Sequence, residues 1–307
     1  MPLTVAAQER IPKVGLLRTN APPDPFVEAF RDGMRALGHI EGRTVVYEAR
    51  WAKGRPDALP ALAAELAALK VDVILTGGET AIRAAKQAAP MTPIVMGASN
   101  DPVAAGLAQS LAKPGGTVTG LTIFSHELSQ KRLEVFREAL PDLSRVALLV
   151  NPSFPTAQVE VEATEQAARA LGLVLTPVPI SREEDFAAAI GPLRDRGVNG
   201  LITLADPFFT AHRNRIATLA RTARLPAMFH WPEFVEAGGL MSYGPDNADL
   251  YRRAATYVDR ILRGATPGEL PIERPSKLLL AVNLTTAQAL GITFSSSFLS
   301  RADEVIE

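Results

Sequence analysis

Val71-Asp72-Val73-Ile74-Leu75-Thr76-Gly77-Gly78-Glu79-Thr80-Ala81-Ile82-Arg83-Ala84-Ala85-Lys86-Gln87-Ala88 decides the fold class. An apolar run of strand length, Val71 to Thr76, meets a pair of glycines, and a helical stretch from Glu79 to Ala88 follows at once. Strand, tight turn and helix in that order make half of a βαβ unit, the building block of a parallel sheet. The glycines let the backbone come close to whatever sits beyond the strand end.

The same alternation extends in both directions. Upstream lie strand 11–17, helix 26–37 with Phe26, Phe30, Met34 and Leu37 on one face, strand 44–50 and helix 57–69. Downstream lie strand 93–96, helix 103–111 and strand 119–123, completing one doubly wound unit. The pattern then restarts with helix 127–140, strand 145–150, helix 156–171, strand 174–178, helix 183–196, strand 200–204, helix 210–223, strand 227–229, a short helix from Glu233 and strand 240–242. An amphipathic helix with Leu250, Ala254, Tyr257, Val258 and Ile261 on one stripe precedes a proline-rich link (Pro267, Pro271, Pro275), strand 278–282 and a short helix from Thr285. The expectation is two α/β lobes with parallel sheets: residues 8–122 plus about 246–275, and 123–245 plus about 276–307.

Composition narrows the function. With 47% hydrophobic and 21% charged residues the chain has material for buried cores, and a formal net charge of −1 without long like-charge runs argues against a nucleic-acid surface. The absence of cysteine removes disulfides, thiolate zinc sites and a Cys nucleophile. His39, His126, His212 and His230 form no metal-ligand spacing, and no cofactor motif is present. Ser110 to Lys113 matches SxxK without the companion motifs of acyl-transferring enzymes. Met1 to Ala7 ends in Val5-Ala6-Ala7 before Gln8, small residues of the kind signal peptidase favours, and reads as the remnant of a signal peptide.

In open parallel sheets ligands bind beyond the carboxyl ends of the strands. Asn100-Asp101-Pro102, Asn151-Pro152, Asp206-Pro207 and Trp231-Pro232 each follow a strand and open a helix. Asp or Asn before Pro is also the ordinary way to start a helix, and several helix starts aimed at one cleft suit an anionic group. The candidate ligand-binding residues are Thr19, Asn20, Gly78, Thr80, Ser99, Asn100, Asp101, Asn151, Phe154, Asp206, His230, Trp231 and Tyr243. The expected solute is amino-acid-like, its carboxylate toward the first lobe and its amine or ring toward Asp206 and the aromatics of the second.

Phe26 to Gly33 (FVEAFRDG), Glu41-Gly42-Arg43, Leu59 to Lys70 (LPALAAELAALK), Asp101-Pro102-Val103, Leu111 to Leu121 (LAKPGGTVTGL), Lys131-Arg132-Leu133, Phe234 to Tyr243 (FVEAGGLMSY) and Leu290 to Glu307 resemble, in succession, the ABC transporter substrate-binding proteins that include tryptophan-binding lipoproteins. The resemblance implies a type I periplasmic-binding-protein fold, two Rossmann-like lobes joined by about three crossovers, with a small solute in the cleft. It also implies a permease and its ATPase as partners, no cofactor or nucleic acid, and a monomer. No lipobox cysteine is seen, which favours a freely soluble periplasmic protein over a lipid-anchored one. The competing readings are an enzyme using Asp101 or Asp206 as general base, and a ligand-sensing domain of a regulator.

Overall fold

The apolar run becomes β3 (Val73–Gly77), every residue of it buried, with β1 (Lys13–Arg18) on one side and β4 (Ile94–Ala98) on the other. The structure is a computed structural model and describes residues 10–307, so the signal-peptide reading of residues 1–7 lies outside it. β2 (Val46–Trp51) and β5 (Val118–Gly120) complete a parallel sheet in the order β2-β1-β3-β4-β5. Side chains alternate across it. Val14, Leu16, Val73, Leu75 and Val95 belong to one apolar cluster, and Leu17, Ile74, Ile94 and Met96 to another. The second cluster contains Leu59, Leu66 and Ile82 from α2 (Leu59–Ala68) and α3 (Glu79–Ala88). The first contains Phe26, Phe30 and Met34 of α1 (Pro25–Ala36), which starts where Asp24 accepts a hydrogen bond from the Phe26 amide at 3.0 Å.

The second sheet has the order β12-β11-β10-β9-β8-β6-β7. Its strands are β6 (Arg145–Val150), β7 (Val174–Pro179), β8 (Gly200–Thr203), β9 (Ala227–Phe229), β10 (Met241–Pro245), β11 (Leu278–Asn283) and β12 (Glu304–Ile306). Helix α4 (Ser129–Ala139) precedes its first strand in sequence, and α5 (Ala157–Ala170), α6 (Phe186–Ile190), α7 (Pro207–Ala211), α8 (Arg213–Thr222) and α9 (Pro232–Glu236) lie between its strands. Then α10 (Asn247–Leu262) returns to the first lobe, packing on α1, β3 and β4, before α11 (Leu284–Leu290) and α12 (Ser296–Leu299) end the second. The α1–α10 crossing is close because Gly33 has no side chain: a Cβ there would lie 2.8 Å from that of Ala255. The chain thus passes between lobes near Leu121, near Asp246 and near Glu273, and Leu121 and Glu273 run side by side in a parallel bridge. No helix among the described residues is long and apolar enough to cross a membrane.

Several sequence expectations need correction. Residues 103–111 form turns rather than a helix, because Gly106 sits at φ 69 and the chain folds back through Leu107 N–H to the Pro102 carbonyl. The expected helix 183–196 stops regular winding at Ile190, before Gly191-Pro192, and 210–223 is two helices broken at His212. The second sheet is not wholly parallel: β10 and β11 pair antiparallel, since the chain reverses through α10 before re-entering. Strand β12, which pairs parallel to β11, was unforeseen.

Candidate functional site

The carboxyl ends of both sheets face one cleft, and the lobes meet across it. A Cβ on Gly78, at φ 80, would run into the ring of Pro207 from the opposite lobe, and one on Gly54 would lie 2.9 Å from His212 Nε2. Asn100 donates through Nδ2 to the Ala205 carbonyl at 3.1 Å and to Glu160 Oε2 at 3.3 Å, both in the second lobe. Behind this closure lies a cavity walled by Arg18, Thr19, Asn20 and Phe26 at and beyond the end of β1, Gly77 and Gly78 at the end of β3, Ala98 and Asn100 at the end of β4, and Ile123 at the first crossover. Ala205, Pro207, Thr210 and Trp231 form the opposite wall, and Asn247 and Tyr251 of α10 close one side.

Arg18 dominates this cavity. It is the last residue of β1, 5% exposed, and its Nε donates to Asp24 at 3.0 Å while Nη1 donates to the Tyr251 hydroxyl. The guanidinium carbon lies 4.5 Å from the Tyr251 ring centre and 5.9 Å from that of Phe26, and the two rings stack at 5.4 Å. Burial disfavours the charge, but Asp24 and Tyr251 outweigh that and hold the guanidinium above its ordinary range. Nη2 has no hydrogen-bond partner among the described residues. Tyr251 reaches this position because Gly77 and Gly97 leave room: a Cβ on either would collide with its hydroxyl or ring. Two further polar atoms, the carbonyl oxygens Oδ1 of Asn20 and Asn247, are buried without a partner. Buried unpaired acceptors cost about 1–3 kcal/mol each, so they mark where a donor belongs.

Of the residues singled out by sequence, Thr19, Asn20, Gly78, Asn100 and Trp231 line the cavity. The others are turned to different work. Ser99 Oγ donates to Glu79 Oε1 at 2.7 Å. Asp101 accepts from the Val103 and Ala104 amides at 3.1 and 2.9 Å. Thr80 sits half-buried in the first turn of α3 beside the wall rather than in it. Asn151 donates to Asp206 Oδ2 at 2.7 Å and accepts from Ser153, and Phe154 is packed in the core. Asp206 caps α7 by accepting from the Phe208 amide at 2.7 Å, so both its oxygens are engaged and neither lines the cavity. Tyr243 offers its backbone carbonyl to Arg132 Nε at 3.1 Å. As candidate general bases, Asp206 spends both oxygens on amides of the fold and Asp101 spends Oδ1 on two, its Oδ2 lying 4.0 Å from His126 Nδ1.

His230 belongs to a buried network centred on Glu160. Oε1 of Glu160 accepts from Ser125 Oγ at 2.5 Å, His230 Nε2 at 3.1 Å and the Ala205 amide at 3.3 Å. Burial raises the Glu160 carboxyl, but His230, Ser125 and Arg132 more than reverse this and hold it below its usual range. Burial, with Arg132 nearby, lowers His230 to about 4, so at neutral pH the imidazole is uncharged and donates from Nε2. Asp206 goes the other way, pushed up to about 7 by burial against the pull of Phe208 and Asn151, with Glu79 and Glu160 adding to the rise.

Known proteins share this architecture. A conserved domain protein from Vibrio cholerae matches with a TM-score of 0.91 at 26% identity, over 96% of this chain and 100% of that one. An ABC domain from Streptococcus pneumoniae in complex with L-Trp matches at 0.90 and 24% identity, over 97% and 100%. A ligand-free, open substrate-binding protein with adhesive properties from Clostridium difficile scores 0.67 at 23% identity over 96% and 99%. A tyrosine-binding protein from Clostridioides difficile is 24% identical over 266 residues, 86% of this chain and 75% of its own length. The sequence model described as ABC transporter substrate binding protein matches residues 23–306, nearly the whole two-lobed unit, and the chain belongs to that family.

Proposed function

We propose that this chain captures an α-amino acid with an aromatic side chain in the interlobe cleft and delivers it to the permease of an ABC importer. The observation that carries the reading is the chemistry of the cavity: one guanidinium with a free Nη2, two unpaired amide oxygens, and rings on both sides. Arg18 suits the carboxylate and the Oδ1 atoms of Asn20 and Asn247 suit the ammonium, while Trp231, Phe26 and Ile123 suit a ring. Relatives that bind tyrosine or L-Trp support the same class. The lobes, 8–122 with 246–275 and 123–245 with 276–307, close on the solute as rigid bodies about the three crossovers, so that closure rather than catalysis is the working step. We place the protein in the periplasm as a soluble monomer, which fractionation and sedimentation test.

Calorimetry tests the ligand class. L-tryptophan and L-tyrosine bind, and indole-3-propionate, which lacks the ammonium, binds at least tenfold more weakly, the scale of one charge-assisted hydrogen bond. Binding of a neutral sugar with no response to any amino acid overturns the reading.

A further inference from the structure

The closed cleft traps carboxylates that the capture of a solute does not use. Glu79 opens α3 directly after Gly78, and Asp206 caps α7 directly before Pro207, so the Gly78–Pro207 contact brings a carboxylate of each lobe to the same seam. Asn100 ties the two sides: its backbone N–H donates to Glu79 Oε1, and its side chain donates to the carbonyl of Ala205, the residue before Asp206. Both carboxylates are buried, at 0% and 3% exposure, and Oε2 of Glu79 has no hydrogen-bond partner.

We propose that Glu79 and Asp206 form a proton-binding site shared across the cleft, so that closing the lobes takes up one proton. The surrounding charges do not supply an alternative. Arg132 donates through Nε to the Tyr243 carbonyl and its charge acts on Glu160, its Nη2 being buried without a partner, and His230 also faces Glu160. Arg18 is paired with Asp24, and His126 lies 4.0 Å from Asp101 on the outer side of the turn. Among the described residues no cation is hydrogen-bonded to or paired with Glu79 or Asp206, whose neighbours are Ser99, Asn100, the Asp101 amide, Asn151 and the Phe208 amide, with Glu160 adding a further negative charge. Burial raises both groups in the closed form, and the negative charges of Glu79 and Glu160 add to the rise of Asp206, to about 7. In the open form, separated and hydrated, they return toward ordinary carboxylate values of about 4. Closure is then strongest below the open-form value, weakens by up to about tenfold per pH unit as pH rises between the two, and levels off above the closed-form value.

The test needs no solute, so it is independent of the proposed ligand class. The chain has no cysteine, so Asp57→Cys with Glu184→Cys places a dye pair on exposed sites of opposite lobes at the cleft rim. Energy transfer in the unliganded protein is followed from pH 5 to 8. The closed population falls several-fold with rising pH, Asp206→Asn and Glu79→Gln each flatten the profile, and His126→Gln leaves it unchanged. A flat profile in the parent, or the same profile in both carboxamide variants, overturns the proposal. Asn retains the α7 cap in the first variant, and the second keeps the test decisive if that one fails to fold.

Discussion

Gly78→Ala separates what the fold needs from what closure needs. At φ 80 and ψ 135 the position lies in a region essentially reserved for glycine, so alanine carries backbone strain of about 1–3 kcal/mol in the open and closed forms alike. That strain lowers the denaturation midpoint without solute. In the closed form alone the new methyl also runs into the ring of Pro207. Overpacking of a tight contact costs about 1–3 kcal/mol, which converts to roughly a 5- to 150-fold loss of affinity. Calorimetry with L-tryptophan, paired with urea denaturation of the same samples, reads the two effects apart. Pro207→Ala in the Gly78→Ala background removes the obstacle and restores much of the affinity without restoring the stability, a double-mutant signature of direct contact. Unchanged affinity in Gly78→Ala, or loss of affinity that the second substitution does not relieve, refutes the claim that the lobes shut at this point.

Arg18→Met leaves Asp24 buried without its partner. Stability falls by about 3–5 kcal/mol in thermal melts and amino-acid binding disappears. Glu160→Gln lowers stability at pH 7, and the deficit shrinks as the pH is taken below 4. The Glu160 carboxyl is held below its unfolded value, so its contribution is present above that value and fades as pH falls through the folded one. Tyr251→Phe keeps the ring on Arg18 but removes the hydroxyl, and costs about 0.5–1.5 kcal/mol by denaturation.

Much of the fold was legible because its signals are local. Apolar runs such as Val146 to Val150 and caps such as Asp24 and Asp206 sit within a few residues of what they determine. Errors followed where one residue overrode a pattern, as Gly106 does to residues 103–111 and Gly191-Pro192 to the helix before it. Of the candidates, Thr19, Asn20, Gly78, Asn100 and Trp231 line the cavity, each following a strand, and position along a strand is visible in sequence. The same rule also picked out Ser99, Asp101, Asn151 and Asp206, which lie outside the cavity wall and serve as caps and turn anchors, since a strand end needs these too. Arg18, which follows the expected strand 11–17, was passed over in favour of the polar Thr19 and Asn20 after it, and Asn247 and Tyr251 were missed because they arrive from a helix more than two hundred residues away in sequence. The glycines at 77 and 97 were the available signal: consecutive strand ends stripped of side chains announce a large group arriving from elsewhere.

That late arrival bears on how the protein is made. The first lobe owns residues from both sides of the segment that builds most of the second, and its helix α10 supplies the ring that seats Arg18 and much of one sheet face. As the chain emerges from its N-terminal end, β1 to β5 can pair early, yet the face meant for α10 stays uncovered until residue 262 has followed. Contacts spanning such a separation are slow to form, because the loop must close before they repay its entropy. The half-built lobe therefore lacks its apolar cover and its buried ion pair lacks Tyr251 until α10 has been made. A chain of this design cannot complete this cavity early, so an intact cavity reports that synthesis has run at least through α10.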